Sequence, residues 1–312
     1  MKMIIFGNGQ IGGSYKEYFA SKGWEVSIPL IDITDAAAVA KVLSEEQPEV
    51  VINCAARTSL EYCANNKLDS FNSNVLGADN IATACDKLGI YFVHLSSGCI
   101  YQSTDENDAK VETDEPNPAA FYSWTKVWAE ELIAFNKSAE FKYMILRPRQ
   151  PITASLSHRN TLIKMLTFTR YIDIPNSLTV LEDLLEWTEK LITQKATGVF
   201  HTANPGWTSP YRIAQVLKQY ILPELDPILI TRAELDRLTP NKRVDTILNM
   251  DRLIAAGIKM KPIEERLVEI AKELAENMKQ ADKQELREIL EQTAKESAQR
   301  TIVNEVWPKL LD

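Results

Sequence analysis

An α/β fold, a doubly wound parallel sheet with helices on both faces, is what this 312-residue chain predicts. Three observations carry the expectation. Short apolar runs recur as far as Leu146 and are separated by stretches of helical periodicity, the signature of a parallel sheet. The first run leads at once into a glycine-rich turn, Gly7-Asn8-Gly9-Gln10-Ile11-Gly12, that opens a helix. Beyond Pro262 the composition shifts to Glu, Lys, Ala and Leu, with Ile263, Leu267, Ile270 and Leu274 at helical spacing.

In chain order, Met3-Ile4-Ile5-Phe6 reads as the first strand. Gly7 then permits a tight turn, Gly9 leaves bare main chain for a pyrophosphate, and Gly12 lets the helix pack close to the strand. The helix opening at Gln10 and Ile11 turns its N-terminus toward that anion. Glu25-Val26-Ser27-Ile28 is a second strand, and an Ala-rich helix over 35–46 is capped near Thr34 or Asp35. Val50-Val51-Ile52-Asn53 is a third strand, 74–88 a long helix, and Tyr91-Phe92-Val93 a fourth strand. The Tyr122 helix comes next, and then the strand Tyr143-Met144-Ile145-Leu146. Ligands of such sheets bind beyond the C-terminal strand ends, where the glycines, Ala55-Ala56, Ser97 and Arg147 fall.

After Leu146 the alternation breaks. Arg147-Pro148-Arg149-Gln150-Pro151 is a rigid crossing segment, 159–169 and 178–193 look helical, and Gly198-Val199-Phe200-His201 is a further strand. Short helical pieces and Pro-marked turns follow to Ile258. The expected organisation is a dinucleotide-binding domain over 1–146 with a return segment near 178–203. A smaller α/β substrate lobe spans 147–261, and a helical C-terminal extension covers 262–312, running to about Leu311.

Composition narrows the function classes. A net charge of −8 argues against a nucleic-acid footprint. Cys54, Cys63, Cys85 and Cys99 lack the CxxC or Cys/His spacing of a metal site, so buried reduced thiols are expected. No apolar run is long enough to cross a bilayer, and the N-terminus goes straight into a strand rather than a leader. A cytoplasmic, reducing location is the expectation.

Tyr122 and Lys126 are four residues apart and share a helix face. With Ser97 and Cys99 just past the fourth strand, a phenol, an ammonium, a hydroxyl and a thiol can converge. Reducing a ketone needs a hydride on one face and a proton for the oxygen. Tyr122 can give the proton, and an ammonium beside it favours the phenolate and draws its pKa toward the working range. Ser97 can hydrogen-bond the carbonyl oxygen. Protons on the flanking carbons are weakly acidic, and Cys99 is placed to act there. The alternatives are a surface helix pair for Tyr122 and Lys126 and an inert buried thiol for Cys99.

The glycine turn, the Ser after strand four and the Tyr-x-x-x-Lys helix resemble extended short-chain dehydrogenase/reductases, a Rossmann-type family. LSSGCIY, FYSWTK, ILRPRQPI, RNTLIK, IPNSLTVLEDLL and TANPG narrow the resemblance, from residue 1 to about 260. They are similar to the nucleotide-rhamnose 3,5-epimerase/4-reductases found at the C-terminal end of plant rhamnose synthases, and to dTDP-4-dehydrorhamnose reductases. The resemblance implies an oxidoreductase that turns a UDP- or dTDP-4-keto-6-deoxyglucose into the L-rhamnose nucleotide with NADPH or NADH. It implies Ser97, Tyr122 and Lys126 at the oxygen, Lys126 also at the nicotinamide ribose, and Cys99 with Lys164 as the epimerisation pair. His158 competes for the second role.

Gly7, Gly9, Gln10, Ile11, Gly12, Asp32, Ile33, Ala55 and Ala56 would line the cofactor together with Tyr122 and Lys126. Arg147, Asn160, Asn176 and Arg243 are the candidates to hold the nucleotide sugar, since a guanidinium suits a diphosphate. Arg149 reads as a surface charge and Asn74 as the family's structural Asn. The phosphate turn is one residue shorter than the family's usual one. Asp32 suits a ribose hydroxyl, yet 31–35 resembles the family's adenine-side loop, which leaves NADPH and NADH both open. A reductase without epimerase activity and a cofactor-binding regulatory subunit are the alternatives. Extended reductases often pair through helices like 74–88 and 122–134, so a homodimer is expected.

Overall fold

The computed structural model describes residues 1–135, 137–238 and 244–296. Six strands form one sheet in the spatial order Glu25–Ser27, Lys2–Phe6, Val50–Asn53, Tyr91–Leu95, Tyr143–Pro148, Gly198–Thr202. Every neighbouring pair is parallel. The strands stand where the apolar runs place them, except that the second stops at Ser27, two residues short of Pro29. Successive residues of a strand point to opposite faces, and the first strand shows it. Met3 and Ile5 join Ile52, Val93 and Met144 under the helices Gln10–Ser21 and Leu181–Thr193. Ile4 and Phe6 join Val51, Phe92 and Ile145 under Ala36–Glu46, Gly77–Leu88 and Phe121–Ala134. Because both faces are covered, the strands need unbroken apolar runs rather than alternation.

The strand order reverses beside Lys2–Phe6, which lies between Glu25–Ser27 and Val50–Asn53. That reversal opens a crevice past Phe6 and Asn53, the place where open α/β sheets take ligands.

A second core lies outside the sheet. Ile152, Leu162, Ile163, Leu178, Val180, Ile213 and Leu217 build it together with Ile263, Leu267, Ile270, Leu274 and Met278. The helix Ile263–Gln280 is therefore a wall of this core. Asp282 accepts the N–H groups of Gln284 and Glu285 and starts a separate helix, Lys283–Glu296, whose Leu286 and Leu290 return to the same core. The expected single extension is thus two packed helices, and 297–312 lie outside the described residues.

Three local readings change. The helix expected over 159–169 is only Thr161–Met165, started by Asn160, whose Oδ1 accepts the Leu162 N–H at 3.0 Å. Thr179–Val180 pairs in parallel with Pro151–Ile152 before the next helix begins at Leu181. Ahead of Gly77–Leu88 runs a π-helical stretch, Asn72–Leu76, which carries Asn74. No helix among the described residues is long and apolar enough to cross a membrane.

Candidate functional site

The crevice begins at two glycines that no other residue can replace without rearranging backbone. Gly7 has φ +103°, and a methyl group there would lie 2.6 Å from the Ala55 nitrogen. One on Gly12 would lie 1.9 Å from the Gly7 carbonyl oxygen. The turn is thereby pressed against the end of the third strand, where Asn53 Oδ1 accepts the Ala55 N–H at 3.0 Å. Gly9 is the N-cap of the helix opening at Gln10 and Ile11; no side chain caps that helix and its first turn holds no acid. Its free N–H groups and positive end suit a diphosphate. Gly12→Ala is expected to weaken NADPH binding at least ~tenfold, a loss of ~1.4 kcal/mol or more. Titration of NADPH fluorescence reads it, and unaltered affinity would place the diphosphate elsewhere.

At the other end of the crevice Asp32 is exposed, and its carboxylate accepts the Thr34 N–H and hydroxyl at 2.9 and 2.8 Å. Those bonds, with Arg57 adding, hold its carboxyl below the usual range. Ile33 is buried against Gly77. Arg57, on the loop after the third strand, donates its Nε to Asp69 at 3.0 Å and lies over the Tyr62 ring. Ala56, half-buried, lies on the same loop.

The second cluster gathers at the end of Tyr91–Leu95. Ser97 caps a single 3₁₀ turn, Gly98–Ile100, by accepting the Cys99 N–H at 3.2 Å. The helix Phe121–Ala134 brings up Tyr122, Lys126 and Glu130, spaced four apart on one face. Ser97 lies near the Tyr122 side chain and acts to lower its pKa. Lys126 is buried, donates to the Leu95 carbonyl at 2.9 Å, and holds its Nζ 6.0 Å from the Tyr122 ring centre. Ser123 donates its hydroxyl proton to Cys99 Sγ at 3.2 Å. Ser97, Cys99, Tyr122 and Lys126 thus meet in one place.

The electrostatics differ from the expectation. Burial pushes the Tyr122 phenol up, with the neighbouring Cys99 and Cys63 thiols adding, while Ser97 and Arg149 oppose. The ammonium of Lys126 is engaged at Leu95 rather than drawing the phenol down. Burial lowers Lys126 itself, against the pull of Cys99 and Glu130. A phenol held protonated is a proton donor.

Asn74 aligns the helix. Its Oδ1 accepts the Arg57 N–H at 2.6 Å, and its Nδ2 donates to the Arg57 carbonyl and to Thr125 Oγ1. Thr125 in turn donates to the Tyr122 carbonyl at 2.6 Å. A π-helical stretch inside a longer helix often marks such a functional position.

The residues expected to grip the substrate do other work. Arg147 is buried and its guanidinium is spent: Nε donates to both Glu130 oxygens at 3.1 Å, Nη2 to Glu130, and Nη1 to the Tyr101 hydroxyl and the Glu112 carbonyl. Ser96 adds its hydroxyl to the same carboxylate. Arg149, read as a surface charge, is buried and donates to Asn176 Oδ1 at 2.7 Å and to the Val244 carbonyl. Asn176 also accepts the Thr246 N–H at 3.0 Å and donates to Asp245 at 2.8 Å. Asn160 is buried, donates to the Thr153 and Ser155 carbonyls, and caps its own helix. Arg243 lies outside the described residues. Lys164 is half-buried on Thr161–Met165 and His158 half-buried on the loop before it, a different segment from the Ser97 cluster. Glu130 and Ser123 were not singled out in the sequence. The four-residue step from Lys126 could have marked Glu130; nothing local marks Ser123. Among the described residues no cluster of His, Cys, Asp and Glu could hold a metal ion.

Comparison with known proteins covers the whole of this arrangement. The bifunctional dTDP-4-dehydrorhamnose 3,5-epimerase/dTDP-4-dehydrorhamnose reductase of Arabidopsis thaliana is 27% identical over 276 residues, 85% of this chain and 90% of that protein. A trifunctional UDP-glucose 4,6-dehydratase/UDP-4-keto-6-deoxy-D-glucose 3,5-epimerase/UDP-4-keto-L-rhamnose-reductase of the same plant is 26% identical over 282 residues. This chain spans only 42% of that relative's length. The crystal structure of the UDP-rhamnose synthase of Acanthamoeba polyphaga mimivirus superposes with a TM-score of 0.81 at 27% identity, covering 88% of this chain and 99% of that one. Residues 1–276, from the first strand to the helix that walls the second core, match the family described as the RmlD substrate binding domain. With its glycine turn, Ser97 loop and Tyr122 helix all inside that span, the chain belongs to the RmlD substrate-binding-domain family and has an extended short-chain-dehydrogenase-like fold.

Proposed function

We propose that this chain is an NAD(P)H-dependent reductase of a nucleotide-4-keto-6-deoxy sugar that also epimerises carbons 3 and 5, giving the UDP- or dTDP-L-rhamnose nucleotide. The observation that carries the reading is the meeting of Ser97, Tyr122, Lys126 and Cys99 at one strand end. Relatives that act on UDP-linked and on dTDP-linked sugars support it equally.

The nicotinamide, when bound along the glycine crevice, supplies the hydride. Tyr122 gives its proton to the carbonyl oxygen, Ser97 hydrogen-bonds the same oxygen, and Lys126 holds a positive charge beside both. Epimerisation comes first, because the flanking carbons lose their acidity once the ketone is reduced. Cys99 takes the proton from one face of the carbon, its sulfur fixed by the Ser123 hydroxyl. Lys164, paired with Cys99 by the family resemblance, is assigned the return of a proton to the other face. Arg57 Nε donates to Asp69 at 3.0 Å, so NADPH and NADH both remain candidate cofactors.

Cys99→Ala is the test. Exchange of deuterium from solvent into carbons 3 and 5 of the 4-keto-6-deoxyglucose nucleotide is expected to fall ~10²-fold or more, the usual worth of one positioned base. The pre-epimerised ketone should still be reduced, and parallel assays with NADPH and NADH read the cofactor preference. If the variant keeps both activities, the epimerase half is wrong and a reductase acting after a separate epimerase remains.

A further inference from the structure

The segment leading into Thr161–Met165 lays a cation over the glycine turn. A methyl group on Gly9 would lie 3.3 Å from Arg159 Nη1, and no other atom beyond Gly9 and its chain neighbours comes within 4 Å of it. The space above Gly9 is therefore bounded by this one guanidinium, which comes from the second core rather than from the sheet.

On its own this placement is unfavourable. The helix Gln10–Ser21 presents its positive end here, with neither an acid in its first turn nor a capping side chain. No carboxylate pairs with Arg159 among the described residues. Two positive groups facing one another across a gap call for an anion between them. The gap is not an accident of a loose loop. Asn160 is buried and donates to the Thr153 and Ser155 carbonyls at 2.8 and 2.9 Å, and the Arg159 N–H donates to Ser157 Oγ at 3.2 Å. The root of Arg159 is pinned while its side chain is exposed.

We propose that Arg159 is a ligand of the dinucleotide's diphosphate, closing over the face of the anion opposite Gly9 and the helix N-terminus. The inference rests on the cofactor reading above and adds a binding residue from the second core. The guanidinium fork matches two phosphate oxygens, so the cofactor is held from both cores at once.

Fluorescence titration with two probes tests this in the full-length chain: NADPH, and reduced nicotinamide mononucleotide, which has no diphosphate bridge. Arg159→Ala is expected to weaken NADPH binding by about tenfold or more, the worth of a charge-assisted hydrogen bond. Affinity for the mononucleotide should change by less than about twofold, well inside that margin. Arg159→Lys, which keeps the charge without the fork, should fall between wild type and Arg159→Ala. NADPH binding by Arg159→Ala as tight as by wild type overturns the assignment, as does an equal loss for both probes. Failure of the wild-type chain to bind NADPH at all would instead bring down the cofactor reading itself.

Discussion

Tyr122→Phe should slow keto-sugar reduction by ~10²–10⁴-fold, the contribution of one positioned general acid. The ring stays, so its packing is kept and NADPH affinity should change little. What is lost is the phenolic proton beside Ser97 and Lys126. The pH dependence follows from the direction of the shift. Burial raises the phenol above its ordinary value of about 10. Reduction uses the protonated form, so the contribution is complete at neutral pH. It is lost only as pH rises through that elevated pKa. Wild-type reduction of the pre-epimerised ketone, followed by NADPH absorbance, should therefore show no falling limb from Tyr122 between about pH 6 and 9. A Tyr122-dependent decline near neutrality would mean that the bound state reverses the burial effect.

Arg147→Ala is expected to act on stability, by about 3–5 kcal/mol, the cost of stranding one partner of a buried ion pair. The guanidinium and Glu130 are both buried, and the same carboxylate takes the Ser96 hydroxyl. Removing the cation leaves Glu130 charged or forces it to take a proton, and frees the Tyr101 hydroxyl and the Glu112 carbonyl of a donor. Denaturant unfolding measures the loss. Replacing both members by apolar residues should recover part of it, because the pair's own desolvation largely offsets its attraction. Unchanged stability with a raised KM for the nucleotide sugar would return Arg147 to the substrate.

These two residues also mark what could be read from sequence. Tyr122, Lys126, Ser97 and the glycines were legible because their placement is local. A strand end, a turn and one helical face bring each to the crevice whatever lies elsewhere in the chain. The six strands were legible for the same reason, since apolar runs bounded by turns leave little choice. Arg149 was misread as a surface charge, and the partners of Arg147, Asn160 and Asn176 were not legible, because a polar residue on a crossing segment looks the same whether it awaits a ligand or a distant part of its own chain. Glu130, Val244 and Thr246 answer that question only in three dimensions. The expected action of Lys126 on Tyr122 failed similarly: helical spacing gives proximity, but the Leu95 carbonyl and the depth of burial decide what the ammonium does. The helix Ile263–Gln280 showed its amphipathic face plainly, and its partner surface, Ile213 and Leu217 among others, was the part spacing cannot reveal.

The seam around Asn176 has a mechanical meaning. Its backbone exchanges hydrogen bonds with Thr208, and its side chain joins Arg149, Asp245 and Thr246, so three remote stretches meet at this one residue. Greasy surfaces slide across one another with little change in energy, whereas directional bonds around a guanidinium match in a single alignment and lose most of their strength a fraction of an ångström away. The joint is keyed. The relative placement of these stretches is therefore fixed by direction as well as by burial.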